Sequence, residues 1–138
     1  MPDLRERRTI LVADDVPENI ELLSSILERD YNVKVATHGE KVVEIVYSDT
    51  PPDLILLDVM MPRLSGHEVC QRIKANGDRN RIPIIFVTTM TSVEDEQLGF
   101  ELGAVDYITK PISPPLVMAR VRTHLALYDQ SRELERMV

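Results

Sequence analysis

Acidic residues follow two apolar runs of the chain, and their spacing suggests shared chemistry. Asp14 and Asp15 come directly after the run at residues 10–13, and Asp58 comes after the run at 54–57. Such runs are typical of buried parallel strands, and ligands collect at the carboxyl edge of such sheets. Three clustered carboxylates repel one another, and a hard cation with oxygen ligands, usually Mg²⁺, relieves that repulsion. The spacing therefore predicts an acidic pocket suited to Mg²⁺.

A hydroxyl and an ammonium group are predicted at the same edge. A third apolar run, at residues 84–87, ends in Thr88, and a short run at 107–109 ends in Lys110. Carboxylates, a hydroxyl and an ammonium group are the parts needed to place a phosphoryl group on a carboxylate and hold it there. The pocket is therefore a candidate site of phosphoryl transfer.

The elements that would position these groups alternate five times between strand and helix. Strand patterns precede residues 14, 37, 58, 88 and 110, and helix patterns cover about 17–27, 40–48, 69–76, 93–102 and 114–138. Gly103 is the expected C-cap of the fourth helix. This (βα)₅ order predicts an α/β fold, with a parallel sheet covered by helices on both faces.

The final predicted helix is longer than the domain needs. Leu127, Ser131, Leu134 and Val138 follow a heptad-like spacing among charged neighbours, without a Gly or Pro stop. Such a helix is expected to outgrow the domain and to continue into a partner chain or a following domain. A frayed, solvated tail is the alternative. The expected division is a short polar lead (1–8), a domain (9–127) and a helical extension (128–138).

Composition excludes several classes of function. The 138 residues are 43% hydrophobic and 28% charged, which fits one globular domain. The net charge of −7 argues against direct binding of nucleic acid or of an anionic membrane. Cys70 is the only cysteine, so no disulfide framework or thiolate metal cluster is expected, and no apolar run has the length of a membrane span. The expected compartment is the cytoplasm.

Five short motifs, taken together, resemble a known family. They are VADD at 12–15, LILLDVMMP at 54–62, Gly66, FVTT at 86–89 and GAVDYITKP at 103–111. In this order, over about residues 8–127, they resemble the response-regulator receiver domain of two-component signalling. The resemblance implies a flavodoxin-like, doubly wound sheet of order 2-1-3-4-5. It also implies transient phosphorylation of Asp58 by a histidine kinase or phosphotransfer protein.

The resemblance also assigns a metal site. Asp58 would be the nucleophile, and Asp15 and Asp58 would bind Mg²⁺ directly. Met60 would add its backbone carbonyl, and Asp14 would reach the ion largely through water. The alternative for the first acid pair is that Asp14 and Asp15 cap the helix that follows them.

Three further residues take roles by resemblance. Thr88 would hydrogen-bond a phosphoryl oxygen, and Lys110 would pair with another. Tyr107 resembles the aromatic switch residue, which turns inward when Thr88 is drawn to the phosphate. The bond between Lys110 and Pro111 is a cis peptide in the family. Taken singly, Thr88 is also compatible with an ordinary strand-end hydroxyl, Tyr107 with a half-buried strand aromatic and Lys110 with a solvated side chain.

Some positions depart from the usual pattern. Met60 and Met90 stand where the family's side chains influence attack of water on the phosphoryl group, and both are apolar. Thr89 occupies a position that is often Ala or Gly, which predicts narrower access to the site. The string VRTHLAL at 121–127 resembles receivers that are joined to cyclic-di-GMP enzymes, although no GGDEF-like, HD-like or helix-turn-helix sequence lies within these residues.

The remaining candidates for chemistry are three histidines and the cysteine. His38, His67 and His124 show no metal-ligand spacing, and we expect all three to be surface residues. Cys70 lies on the apolar side of a predicted helix, and we expect it to be buried and inert.

The leading hypothesis is a phosphorylation-controlled switch that catalyses only its own phosphorylation and dephosphorylation. Its expected partners are a histidine kinase or phosphotransfer protein, an output domain or protein on the final helix, and a second copy of the chain. A haloacid-dehalogenase phosphatase would need a D-x-D motif after the first strand, and a flavodoxin would need a Ser/Thr/Gly loop there, where Asp14 and Asp15 stand instead. A metal-free interaction domain on the same scaffold would lack the acids.

Overall fold

The computed structural model describes residues 7–89 and 92–137, in which five strands alternate with five helices. The strands are β1 (Thr9–Ala13), β2 (Asn32–Ala36), β3 (Leu54–Leu57), β4 (Ile84–Thr88) and β5 (Asp106–Thr109). The helices are α1 (Pro17–Leu27), α2 (Gly39–Val46), α3 (Gly66–Ala75), α4 (Val93–Glu101) and α5 (Pro114–Arg136). The strands pair in parallel in the order β2-β1-β3-β4-β5. The predicted (βα)₅ flavodoxin-like fold is therefore confirmed.

The sheet separates two apolar layers, and alternate residues of β1 face different layers. Leu11 and Ala13 pack with α2 and α3, whereas Ile10 and Val12 pack with α1 and α5. Every residue of β3 and β4 is buried. Burial on both faces explains why these strands appear in the sequence as uninterrupted apolar runs. Within the described residues, no helix has both the length and the apolar character needed to cross a membrane.

The ends of the helices are set by local side-chain and backbone preferences. α3 begins at Gly66, three residues before the apolar positions that indicated it, because Ser65 caps it. The Ser65 hydroxyl accepts the Glu68 N–H at 3.2 Å, and the Glu68 carboxylate accepts the Ser65 N–H at 3.3 Å. α4 ends at Glu101, and Gly103 follows it with a φ of 111°, a left-handed conformation that favours glycine.

Gly66 holds α3 against the segment that carries Asp58. The Gly66 N–H donates to the Val59 carbonyl at 2.8 Å. A Cβ atom built on Gly66 would lie only 2.2 Å from the Asp58 carbonyl oxygen. The contact between α3 and the end of β3 therefore has no room for a side chain.

Gly66→Ala is expected to lower the free energy of unfolding by about 1–3 kcal/mol or more, because the new methyl group displaces backbone rather than a flexible side chain. Gly77→Ala is the matched control, since nothing lies within 4 Å of a Cβ atom at Gly77. Urea unfolding of both variants measures the difference. Equal stabilities would show that the contact between β3 and α3 tolerates a side chain.

The C-terminal half of α5 leaves the core. The last buried residue of the helix is Leu125, while Leu127 and Leu134 are 53% and 65% exposed. The helix nevertheless runs to Arg136. Part of the heptad-like seam is therefore present as an open apolar stripe, and its last predicted member, Val138, lies outside the described residues.

Two ion pairs tie this half of α5 to the amino edge of the sheet. Arg8, which precedes β1, pairs with Asp129, and Arg81, which precedes β4, pairs with Glu135. All four side chains are at least partly exposed, so each pair contributes little to stability. In this structure the two pairs lie between the second half of α5 and the segments that precede β1 and β4. The division of the chain at residue 127 stays a prediction.

Candidate functional site

Three carboxylates converge at the carboxyl edge of the sheet. Asp14 follows β1 and Asp58 follows β3, and these neighbouring strands end together because Ala13 is paired with Leu57. One ligand oxygen each from Asp14, Asp15 and Asp58 lies within 4.8 Å of the others. Asp14 and Asp58 are buried, whereas Asp15 is exposed. The structure thus brings together the three acids that the sequence singled out.

Lys110 completes the centre of the pocket. Its Nζ atom lies 2.8 Å from Asp14 Oδ2 and 3.2 Å from Asp58 Oδ2. The Lys110 side chain is only 14% exposed, so both contacts lie largely out of water. Its backbone N–H donates to the Thr88 carbonyl at 3.0 Å, which fixes the end of β5 beside β4. One ammonium group therefore forms ion pairs with two buried carboxylates.

Burial and neighbouring charges shift the pKa values of Asp58 and Lys110. Burial raises the pKa of Asp58, and the negative charge of Asp14 raises it further, against the opposing effects of Lys110 and of the Met60 N–H. That N–H donates to Asp58 Oδ1 at 3.2 Å. Burial lowers the pKa of Lys110, but the hydrogen bond to Asp14 and the charges of both carboxylates outweigh it and raise the pKa overall. The pocket therefore holds an excess of negative charge that a cation would offset.

The donor set fits a hard divalent cation. Carboxylate oxygens are the ligands that Mg²⁺ prefers, and the ion usually keeps several waters. The exposed position of Asp15 leaves a side of the pocket open to such waters. The capping alternative finds no support, because the N-cap of α1 is Val16 and no side chain makes a cap bond there. Asp14 instead accepts the Val16 N–H at 2.9 Å.

Thr88 and Lys110 lie at the ends of neighbouring strands. Thr88 is fully buried at the end of β4, and β4 pairs with β5 so that Thr88 is opposite Thr109. The peptide bond between Lys110 and Pro111 is cis, as the resemblance implied. Thr89 is exposed beside the pocket. Met90 lies outside the described residues.

Tyr107 already lies inward in this structure. Its ring centroid is 5.8 Å from that of Phe86 and 6.5 Å from that of Phe100. Gly99 makes this packing possible, since a Cβ atom there would come within 3.2 Å of the Tyr107 ring. The Tyr107 hydroxyl is buried and has no hydrogen-bond partner among residues 7–89 and 92–137. Burial raises the pKa of this phenol. Movement of Tyr107 on phosphorylation stays a prediction.

The expectation that the three histidines are surface residues was wrong for two of them. His124 Nε2 lies 2.9 Å from Asp106 Oδ2, and its side chain is only 14% exposed. The His67 ring packs edge-on against Phe86 at 5.2 Å, and its Nε2 atom is buried. Each ring turns towards a residue on another element that spacing along the chain could not identify. His38 is 37% exposed and accepts the Lys41 N–H at the start of α2.

Cys70, the single cysteine of the sequence, lies on α3. Cys70 is buried as expected, and burial raises the pKa of its thiol to about 11, which keeps it protonated and unreactive.

A cavity of about 500 Å³ opens beside the carboxylates, with Asp15, Met60, Met61 and His67 among its lining residues. The Met60 side chain is 60% exposed there. The pocket is therefore accessible from one side, next to Asp15.

Comparisons with known proteins cover most of the chain. A family model described as the response regulator receiver domain matches residues 10–122. A protein of Vibrio cholerae named "Probable cyclic di-GMP phosphodiesterase" is 51% identical over 117 residues, which are 85% of this chain and 26% of that protein. The transcriptional regulatory protein BaeR of Escherichia coli is 42% identical over 127 residues, which are 91% of this chain and 51% of that protein.

Solved structures agree with this similarity. The beryllofluoride-activated N-terminal receiver domain of Klebsiella pneumoniae RstA superposes with a TM-score of 0.77 at 33% identity, covering 86% of this chain and 98% of that one. The present chain spans about a quarter to a half of the length of the two curated relatives.

Proposed function

Because this chain belongs to the response regulator receiver domain family of two-component signalling, we propose that it is a switch controlled by phosphorylation of Asp58. The observation that carries the proposal is the contact of one Lys110 ammonium group with two buried carboxylates, Asp14 and Asp58, at the carboxyl edge of the sheet. These groups are held by the ends of β1, β3 and β5, so rigid strands rather than mobile loops position them. Asp58 follows β3, the middle strand of the sheet, and it is the proposed nucleophile.

The proposed reaction is a phosphoryl transfer from a phosphohistidine of a histidine kinase or phosphotransfer protein. An Asp58 carboxylate oxygen attacks phosphorus, and a P–O bond forms as the P–N bond to the imidazole breaks. The released imidazole takes up a proton from solvent. Hydrolysis of the resulting acyl phosphate later returns the carboxylate and inorganic phosphate, so the proposed chemistry is the phosphorylation and dephosphorylation of Asp58 itself.

Mg²⁺ is the proposed cofactor. Asp15 and Asp58 would hold it directly with the Met60 carbonyl, and Asp14 largely through water. When bound, the ion would offset negative charge on the transferring group. Lys110 would pair with one phosphoryl oxygen and Thr88 would hydrogen-bond another.

A small phosphodonor tests this proposal. With acetyl phosphate and Mg²⁺, we expect the wild-type chain to gain the mass of one phosphate. A chelator or Asp15→Asn should reduce the gain strongly, because both remove the ion from the site. Asp49→Asn, at an exposed position, is the matched control and should behave like the wild type. Uptake that is equal with and without Mg²⁺ would remove the ion from the proposed mechanism.

Met60 is expected to lengthen the lifetime of the acyl phosphate, because an apolar side chain cannot orient a water molecule for attack. Met60→Asn combined with Met90→Glu should speed hydrolysis about tenfold or more, since a positioned polar group contributes about 10²–10⁴-fold in typical catalysts. Met60→Leu is the control and should keep the slow rate. Loss of labelled phosphate over time measures this. A double variant that decays at the wild-type rate would show that these side chains do not control water.

The signal is proposed to leave through α4, β5 and α5. Phosphorylation would draw Thr88 towards the phosphate and shift Tyr107, which packs against Phe86 and against Gly99 in the last turn of α4. α5 then carries the change to an output domain or protein partner. The relatives named above include a probable cyclic di-GMP phosphodiesterase and a transcriptional regulator, and the 51% identity to the former favours the cyclic-di-GMP class. The cytoplasm is the proposed compartment, with no direct binding of nucleic acid or membrane.

Self-association is expected to strengthen on phosphorylation, because Leu127 and Leu134 form an exposed apolar stripe that a second copy can cover. The coupling should be about 1–3 kcal/mol, as is typical between two sites. Sedimentation of the full chain, with and without Mg²⁺ and beryllofluoride, measures it. Leu134→Ser should weaken the association without affecting the pocket. A monomer that is unchanged by beryllofluoride would mean that the signal passes to a different partner.

A further inference from the structure

Asp106 connects the strand that carries Tyr107 to the final helix. Its Oδ1 atom accepts the backbone N–H of Tyr107 at 2.8 Å. Its Oδ2 atom lies 2.9 Å from Nε2 of His124 on α5, and Arg120 Nε lies 3.6 Å from the same oxygen. A single carboxylate therefore contacts the proposed switch residue with one oxygen and the middle of α5 with the other.

The contact between Asp106 and His124 is shielded, unlike most ion pairs of the chain. The two side chains are 19% and 14% exposed, whereas Arg120 is 47% exposed and contributes a weaker, solvated contact. A polar group that loses its partner away from water costs more than the bond itself contributes. The bond between Asp106 and His124 is therefore expected to persist when either element moves.

The other contacts between β5 and α5 are apolar. Ile108 packs in one cluster with Val117, Val121 and Leu125 of the helix. The hydrophobic effect is not directional in itself, whereas a hydrogen bond fixes both distance and angle. Among residues 7–89 and 92–137, the hydrogen bonds and ion pairs between β5 and α5 all involve Asp106. This carboxylate therefore supplies the directional contacts between β5 and α5.

We propose that Asp106 and His124 are a pair of positioning residues that transmit movement at Tyr107 to α5. The inference rests on the proposed function, in which phosphorylation of Asp58 moves Tyr107. Repacking of the Tyr107 ring displaces its backbone N–H, which turns the Asp106 carboxylate, and the shielded bond pulls His124 with it. Leu127 lies three residues beyond His124, so the exposed stripe of α5 moves in turn.

Amide hydrogen exchange tests this link in the full chain with Mg²⁺ and beryllofluoride as the probe. In the wild type, beryllofluoride should change exchange at residues 117–130 by about fivefold or more, the lower end of typical coupling between sites. His124→Leu removes the donor and should reduce the change in α5 to near zero, while the change around Asp58 and α4 remains. His124→Gln is the matched control, because its amide can still donate to Asp106 and should preserve the response.

The outcomes separate the link from the proposed function. If His124→Leu raises exchange equally with and without beryllofluoride and keeps the wild-type ratio, His124 only stabilises the helix and the link is wrong. A wild-type chain that responds around Asp58 but not in α5 also overturns the link. Absence of any response to beryllofluoride around Asp58 would instead contradict the proposed function, and the link with it.

Discussion

Asp58→Asn is expected to stabilise the metal-free chain at neutral pH, by about 0.5–2 kcal/mol in the free energy of unfolding, the common range for stabilising substitutions. The reason is that Asp58 is buried beside Asp14 and shares one ammonium group with it. Removing one of two buried negative charges relieves their repulsion and leaves Lys110 to pair with Asp14. Asp49→Asn, at an exposed position, should change stability by less than about 0.5 kcal/mol.

The stabilisation should depend on pH in a defined direction. Burial and the charge of Asp14 raise the pKa of Asp58 above its ordinary value of 3.8, so the folded chain takes up this proton more readily than the unfolded chain. The wild type therefore loses stability as the pH rises from the ordinary value through the raised pKa. The advantage of Asn fades as the pH falls through the same range and is absent below the ordinary value. Urea unfolding at several pH values measures both trends. An Asn variant that is less stable than the wild type at neutral pH without Mg²⁺ would contradict this description of the pocket.

Mg²⁺ should reduce the difference in stability between the two proteins. A ligand that binds only the folded state stabilises it, and Asp58 is a proposed ligand of the ion. Titration with Mg²⁺ should therefore raise the stability of the wild type and have much less effect on Asp58→Asn. The affinity is expected to be weak, because water must complete the coordination shell. Equal stabilisation of both proteins would place the ion elsewhere.

Lys110→Met is expected to lower the free energy of unfolding of the metal-free chain by about 3–5 kcal/mol, the usual cost of leaving a buried charge without its partner. The Lys110 ammonium group is 14% exposed and contacts Asp14 and Asp58, which are 2% and 5% exposed as side chains. The second substitution Asp58→Asn should recover part of the loss, because only one charge then remains uncompensated.

Lys41→Met provides the control for the lysine variant. Lys41 pairs with Glu44, but both side chains are well exposed, at 45% and 71%. Exposed pairs contribute about 0–1 kcal/mol, so this variant should remain close to the wild type. If Lys110→Met is as stable as Lys41→Met, the ammonium group does not neutralise the pocket in solution.

The sequence predicted the fold from its alternating strand and helix patterns, and it predicted the pocket from the polar residues that follow the strands. Asp14 and Asp58 follow uninterrupted apolar runs, and neighbouring parallel strands bring such residues to one edge. Lys110 was expected at the same edge, but its double contact with Asp14 and Asp58 depends on how far β5 lies from β1, which no local pattern encodes.

The misses involve partners that are distant along the chain. His124 and Asp106 are 18 residues apart and meet because α5 crosses beside β5. The ion pair between Arg8 and Asp129 joins residues 121 positions apart. The predicted start of α3 was three residues later than the observed one, and this miss has a different cause. Ser65 and Glu68 have the spacing of a capping box, which the sequence alone could have indicated.

Localisation of the phosphate tests the central claim most directly. After reaction with acetyl phosphate and Mg²⁺, borohydride reduces an acyl phosphate to an alcohol, which would convert a phosphorylated aspartate into homoserine. Peptide mass spectrometry should then find homoserine at position 58 of the wild type, and at no position in Asp58→Asn. Homoserine at Asp14 or Asp15 instead of Asp58, or phosphate uptake by Asp58→Asn equal to that of the wild type, would contradict the assignment of Asp58 as the phosphoacceptor.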